Sequence, residues 1–323
     1  MVTRPAPFKI GISEPVNTVL AIWMAEAAGL YADRGLAVEI INMDGGSRGA
    51  AELAAGRIDA MHVGLSSVVR LNRSGGDLRI VAALANVIRF TFFSPPGVND
   101  GAALKGGVVG VTTFGSESDT VATFVLRRLG LKREDVTVTE YGSGLRRIAA
   151  LQSEEIQATA LNEPAASLAR ERGLPVLLDL VPERIPWLFT GIAVRRAAIE
   201  RCRDVLARFV QVTAEGNCMA CADEGRARAV LAERAGIHDP KILDLSYRDF
   251  RALSPPDIAP TRAAAENVLA QLSPGSSTNI ADYVDTDILD ELKQHGVFAR
   301  LREKYSGRLR ASGSGSNGRE ISG

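Results

Sequence analysis

The chain has 323 residues, 46% of them hydrophobic, enough for one large core or two smaller ones, and no apolar run reaches membrane-spanning length. Lys plus Arg and Asp plus Glu both number 38, so no net field draws the molecule toward nucleic acid or an anionic lipid surface. Two domains are the expectation at this length, and a nucleic-acid role is not expected.

The start, "MVTRPAPFKIGIS", carries Arg4 but neither an apolar segment nor a small-residue cleavage site, so the chain is read as cytoplasmic or as one whose leader has been removed. Short strand-like runs follow: "FKIGIS", "LAVEIIN", "RIDAMHVG" and "LRIVAAL". They alternate with the helical segments "NTVLAIWMAEAAGLYADRG" and "SRGAAELAAG", the signature of β-α units around a mostly parallel sheet. The first helix places Leu20, Met24 and Ala27 on one face beside Trp23, with Gly29 as its C-cap. The class is α/β.

Residues 110–131, "GVTTFGSESDTVATFVLRRLGL", join an apolar run to a helical pattern through Gly115, Ser116, Glu117, Ser118 and Asp119. Ser and Asp at an N-cap with Glu in the first turn make an ordinary helix start. The same groups also suit a ligand, since glycine allows close backbone approach and a helix start offers unpaired N–H groups.

The pattern recurs about a hundred residues on: "AAGLYADRGLAVEI" has a counterpart in "RRLGLKREDVTVTE", and "AELAAGRIDA" a weaker one in "IAALQSEEIQA". Two lobes of similar build are therefore expected. Further on, Cys218 and Cys221 form a C-x-x-C in "RDVLARFVQVTAEGNCMACADEGRARAVL". Their spacing places them on one helical face, with Cys202 and the scattered His62, His238 and His295 unable to complete a four-ligand metal site. Helix packing is the expectation there, and no metal. The tail "SGRLRASGSGSNGREISG" is Gly- and Ser-rich and reads as a flexible end or an appended remnant.

The run "AAGLYADRGLAVEIINMDGGSRGAAELAAGRIDAMHVG", then "LKGGVVGVTTFGSES", "LGLKREDVTV" and "ALNEPAASLARERG" resembles the periplasmic solute-binding proteins of ABC importers for sulfonates, taurine, nitrate and thiamine-pyrimidine precursors, across roughly residues 8–195. The resemblance implies a type II periplasmic-binding-protein fold, two β-α lobes joined by two crossing segments with the ligand cleft between them, closing by hinge bending. Lobe one would be residues 1–90 plus 191–306, lobe two 91–190, and 307–323 the tail, with crossings near 89–94 and 188–194. It further implies a monomer that meets a membrane permease, a periplasmic location with a removed leader, a small-molecule ligand, and no catalytic residue, metal or cofactor. The chain departs from the family at "SEEIQA", where small-Gly-x-Val-Asp-Ala is common, and at "NEP", where an aromatic often precedes Glu-Pro. These departures bear on the ligand rather than on the fold.

Ligands of open α/β sheets bind beyond the carboxyl ends of strands. That rule selects Ser13, Glu14 and Asn17 in "GISEPVNT", Ser47 and Arg48 in "MDGGSRG", Ser66 and Ser67 in "VGLSS", Ser116, Glu117 and Ser118 in "GSES", and Asn162 and Glu163 in "LNEP". Arg89 on the first crossing segment, and Phe114 and Trp187 as stacking candidates, complete the set. Several have a plain structural role open to them: Asn17 or Thr18 as cap of the first helix, Arg48 as a solvated first-turn residue, Ser66 as cap of the helix after it. Glu14 and Glu163 each precede a proline, which restricts them to extended backbone at a strand end. The pair is expected to face the cleft and accept hydrogen bonds from a nitrogen-bearing ligand, with Glu163→Gln sharply weakening binding. The alternative function is an enzyme on this scaffold, a pyrimidine synthase or small decarboxylase, in which His62 would be a reacting group. The dense cysteine motif of the eukaryotic-type pyrimidine synthase is missing, and no lysine follows close to His62.

Overall fold

The computed structural model describes residues 6–272 and 279–311. Two five-stranded sheets organise the chain, built from strands β1 (Phe8–Ile12), β2 (Val38–Asn42), β3 (Ala60–Val63), β4 (Leu78–Val87), β5 (Thr91–Phe93), β6 (Val108–Val111), β7 (Thr137–Glu140), β8 (Ala158–Leu161), β9 (Val176–Asp179) and β10 (Pro186–Arg195). Their orders are β2-β1-β3-β10-β4 and β7-β6-β8-β5-β9. Within each sheet the first three strands pair in parallel and the inserted strand, β10 or β5, runs antiparallel to its neighbours. The two sheets thus repeat one topology. The internal sequence repeat maps onto equivalent places in it: Gly29 and Gly130 both adopt the left-handed conformation at φ 74° before the edge strands β2 and β7, a backbone conformation that strains residues with a side chain and that glycine adopts freely.

The chain leaves the first sheet through residues 88–90 and returns through 180–185. β10 pairs with β4 from Pro186↔Val87 to Arg195↔Leu78, so residues 186–190 lie in the first sheet. The first crossing overlaps the expected 89–94 only at residues 89–90, and the second precedes the expected 188–194, which lies within β10.

Residues Leu20–Ala25 of the helix Leu20–Ala27 are all buried, because this helix is covered on its outer side by the long helix Arg203–Ala222. The two approach closely at Gly216, where an added Cβ would meet the carbonyl of Ala21 and lie 2.8 Å from the Ala25 Cβ. The segment carrying the C-x-x-C forms two helices, Arg203–Ala222 and Glu224–Ala235. Cys218 and Cys221 lie half-buried on the first of them as free thiols. The rest of the C-terminal part is helical too, and touches the first sheet at an isolated bridge between Ile80 and Val284. The final helix, Val297–Ala311, runs past residue 306. The remainder of the Gly/Ser-rich tail, residues 312–323, lies outside the described residues.

Candidate functional site

Loops leaving the carboxyl ends of β1, β3, β6 and β8 meet between the two sheets and enclose a cavity of about 50 Å³. Ser13, Glu14, Ser67, Ser116, Glu117, Ser118 and Asn162 line it, as the strand-end rule expects. Val16, His62, Thr112, Phe90, Phe189 and Thr190 line it as well, and the sequence reading did not select them for the ligand site.

Hydrogen bonds cross the cavity from one sheet to the other. Ser116 is the N-cap of the helix Glu117–Arg128, so Glu117 projects from its first turn into the opposite wall. There its carboxylate accepts from the Ser66 hydroxyl at 2.9 Å and the Ser66 backbone N–H at 3.3 Å, and from the indole of Trp187. Burial pushes the Glu117 pKa up to about 7, against the lowering pull of Trp187, Ser66 and Arg70. Gly64 makes room for this arrangement, since a Cβ there would collide with Glu117 and lie 2.6 Å from the Phe189 carbonyl. Ser67 donates to the Gly115 carbonyl at 3.2 Å and Ser47 to the Thr113 hydroxyl at 2.7 Å.

On the other flank, the Glu14 carboxylate accepts from the backbone N–H of Gly144 at 3.1 Å and lies 3.5 Å from Arg147. Arg147 is fully buried and donates to the carbonyls of Gly142 and Ala160 and to the Thr159 hydroxyl. Burial raises the Glu14 pKa, with Arg147 and the Gly144 N–H opposing it, and lowers that of Arg147, with Glu14 opposing. Two cavity-lining atoms, His62 Nδ1 and Thr190 Oγ1, are buried without a hydrogen-bond partner among the described residues. Burial pulls the His62 pKa down to about 4, so its ring is neutral at neutral pH. Its Nε2 faces the Thr18 hydroxyl at 3.2 Å.

Other selected residues stand behind or outside this wall. Ser66 reaches Glu117 rather than capping its own helix, Leu65–Arg73. Asn17 does not cap the first helix with its side chain. Its amide donates to the Ser246 carbonyl at 2.9 Å and to Asp249 at 2.8 Å. Arg89 is buried and paired with the same Asp249. Trp187 is buried against Phe124, ring centroids 5.9 Å apart, and its indole N–H is taken by Glu117. Phe114 is half exposed, and Arg48 lies with Asp44, Glu140 and Tyr141 in a separate depression lined by loops of both sheets. Glu163 turns back on its own helix, accepting from the Ser167 N–H at 3.3 Å and pairing with Arg170 at 3.6 Å.

A periodicity argument could have found Arg147. The buried positions of the helix Gly144–Gln152 are Arg147, Ile148, Ala150 and Leu151, so Arg147 and Leu151, four apart, share the inward face. Leu145 lies off that face and is 62% exposed.

A protein from Bordetella bronchiseptica RB50 has the same fold, with TM-score 0.79 at 21% identity, covering 94% of this chain and 99% of that one. The alkanesulfonate-binding protein SsuA from Xanthomonas axonopodis pv. citri, bound to MOPS, follows with TM-score 0.71 at 19% identity, covering 88% and 100%. The desulfurization enzyme DszB matches with TM-score 0.63 at 15% identity, covering 89% and 99%. These likenesses carry the fold, which is that of periplasmic binding proteins. No curated protein sequence matches the chain. The family model described as "NMT1/THI5 like" matches residues 17–227, and the chain belongs to that family.

Proposed function

We propose that the chain is the solute-binding component of an ABC importer, capturing a small polar organic molecule between its two sheets by hinge closure and delivering it to a membrane permease from the periplasm. The reading rests chiefly on the cavity, which draws polar groups from both sheets and is sealed by side chains that reach across it. Capture of this kind needs hydrogen-bonding groups and a hinge, and the cavity supplies the first. The short crossings at 88–90 and 180–185 supply the second.

Within the solutes open to this family, the lining favours a nitrogen-bearing head over a simple anion. The donors at the start of the helix Leu65–Arg73 are already engaged by the protein's own Glu117 carboxylate, and Glu14 adds a second acid. Both buried arginines nearby, Arg89 and Arg147, have carboxylate partners, with Arg89 Nη1 left without a hydrogen-bond partner among the described residues. A ligand N–H finds acceptors here, while a sulfonate or nitrate meets repulsion.

A melting screen with amines, aminopyrimidines, aromatic carboxylates, alkanesulfonates, taurine and nitrate tests this. A ligand that binds only the folded state at a hundredfold excess over Kd adds about 2.7 kcal/mol of stability. Shifts with nitrogen-bearing compounds and none with simple anions are expected. Shifts with anions alone would refute the head assignment, and chemical turnover of a hit would favour the enzyme reading, to which the DszB likeness and the neutral His62 in the cavity wall lend support.

A further inference from the structure

A second, larger cavity lies against the first. Its volume is about 290 Å³, near the lower end of small-ligand sites, which run from roughly 300 to 1,000 Å³. The two share Glu14, Val16 and Asn162 as a common boundary. Their chemistry differs. The first brings hydroxyls, two carboxylates and an imidazole together with Val16, Val63, Phe90 and Phe189, and at about 50 Å³ admits a group of only a few heavy atoms. The second is walled by Pro15, Leu145, Pro164, Leu168, Ile237 and Ile242. Its ionisable lining groups are Glu14, Glu171, Asp239 and His238, with no Lys or Arg among the described residues.

Leu145 bears on what fills it. This side chain is 62% exposed at the chamber wall, in the first turn of a helix whose leading N–H, that of Gly144, is held by Glu14. With Pro15, Pro164, Leu168, Ile237 and Ile242 it forms one contiguous apolar wall, a surface that gains by being covered. Because Glu14 and Asn162 belong to both walls, one molecule can present a polar end to the inner cavity and an apolar body to the outer one.

We propose that the outer chamber holds the apolar body of the same ligand whose hydrogen-bonding head enters the inner cavity. The ligand class is then an amphipathic molecule: a small N–H-bearing head, an alkyl or aromatic body, and no net negative charge. This rests on the solute-binding reading above. It adds the chamber, the apolar body and Leu145 as a determinant of ligand length.

Calorimetric titration of n-alkylamines from ethyl to octyl, beside n-alkanesulfonates of the same lengths, tests it. Each methylene buried in the chamber is expected to lower Kd about fourfold in the amine series. In Leu145→Asp, whose site is exposed enough to leave folding intact, that length dependence flattens. Leu145→Trp, which narrows the chamber, shortens the preferred chain. Amine binding that is flat with chain length overturns the chamber and leaves solute capture standing. A length dependence flattened by Leu145→Asp but seen only in the sulfonates keeps the chamber and overturns the head. Binding by neither series overturns both, and a hit in the melting screen then still distinguishes solute capture from its failure.

Discussion

The Ser66 hydroxyl donates to the Glu117 carboxylate at 2.9 Å, joining the helix that follows β3 in the first sheet to the helix that follows β6 in the second. Because Trp187 of β10 donates to the same carboxylate, one side chain ties the start of the returning strand to both walls of the cavity. Its protonation therefore bears on how tightly the walls hold together.

Glu117 titrates at about 7 in the folded protein, against an ordinary value of 4.5. The folded state holds the extra proton between these limits, so this contribution to stability is fully present below pH 4.5 and is lost as pH rises through 7. Relative to Glu117→Gln, the wild type should lose about 1–3 kcal/mol across that window. Paired melts from pH 4 to 8 check it, and parallel curves for the two proteins would refute it. Glu14 and Glu163, also raised by burial, tilt both curves alike.

His62 acts in the opposite sense. Its folded pKa of about 4 lies below the ordinary 6.5, so unfolding takes up a proton and stability is lost as pH falls from 6.5 toward 4. A His62→Gln variant should show a shallower loss over that range than the wild type in the same melts.

Arg147 is the side chain whose loss should cost most. Replacing it with Met leaves the Glu14 carboxylate buried without its cation and strips the Ala160 carbonyl of a donor. Removing one partner of a buried pair costs about 3–5 kcal/mol, read as a lower denaturation midpoint. The double variant Glu14→Gln/Arg147→Met should recover part of that loss, because no charge is then stranded.

Gly216→Ala separates packing from helix propensity. Alanine is the better helix former by about 1 kcal/mol, yet a Cβ here would meet the Ala21 carbonyl and the Ala25 Cβ at 2.8 Å. Overpacking of this kind costs about 1–3 kcal/mol, so net destabilisation is expected in urea unfolding. A stabilised variant would show that the helix pair can separate freely.

The two Glu-Pro steps show what a sequence can carry. Proline constrains the backbone before it, and both carboxylates do stand at strand ends, but the constraint stops at the backbone. Glu14 finds Gly144 and Arg147 across the cavity, while Glu163 finds Ser167 and Arg170 along its own helix. Partners far apart in sequence decide between these outcomes. Glu14→Gln is accordingly expected to weaken ligand binding more than Glu163→Gln in the same calorimetric titration. The alternation of strands and helices was legible because it follows from local periodicity, and the repeat was legible because the two sheets share a topology. Trp187 shows the limit: an aromatic near a strand end reads as a stacking platform, whereas its indole N–H is drawn inward by a carboxylate seventy residues away.

The place of β10 also sets an order on how the molecule is made. This strand lies between β3 and β4 yet follows both by more than ninety residues. While the chain emerges from the ribosome, β3 and β4 have no common neighbour to bond to, and each presents an open edge. The residues of the second sheet, complete by Asp179, can pack as a unit before the first sheet closes. Synthesis past Arg195 is what seals the gap. A pause or truncation between those points would leave a folded second half tethered to an unfinished, aggregation-prone first.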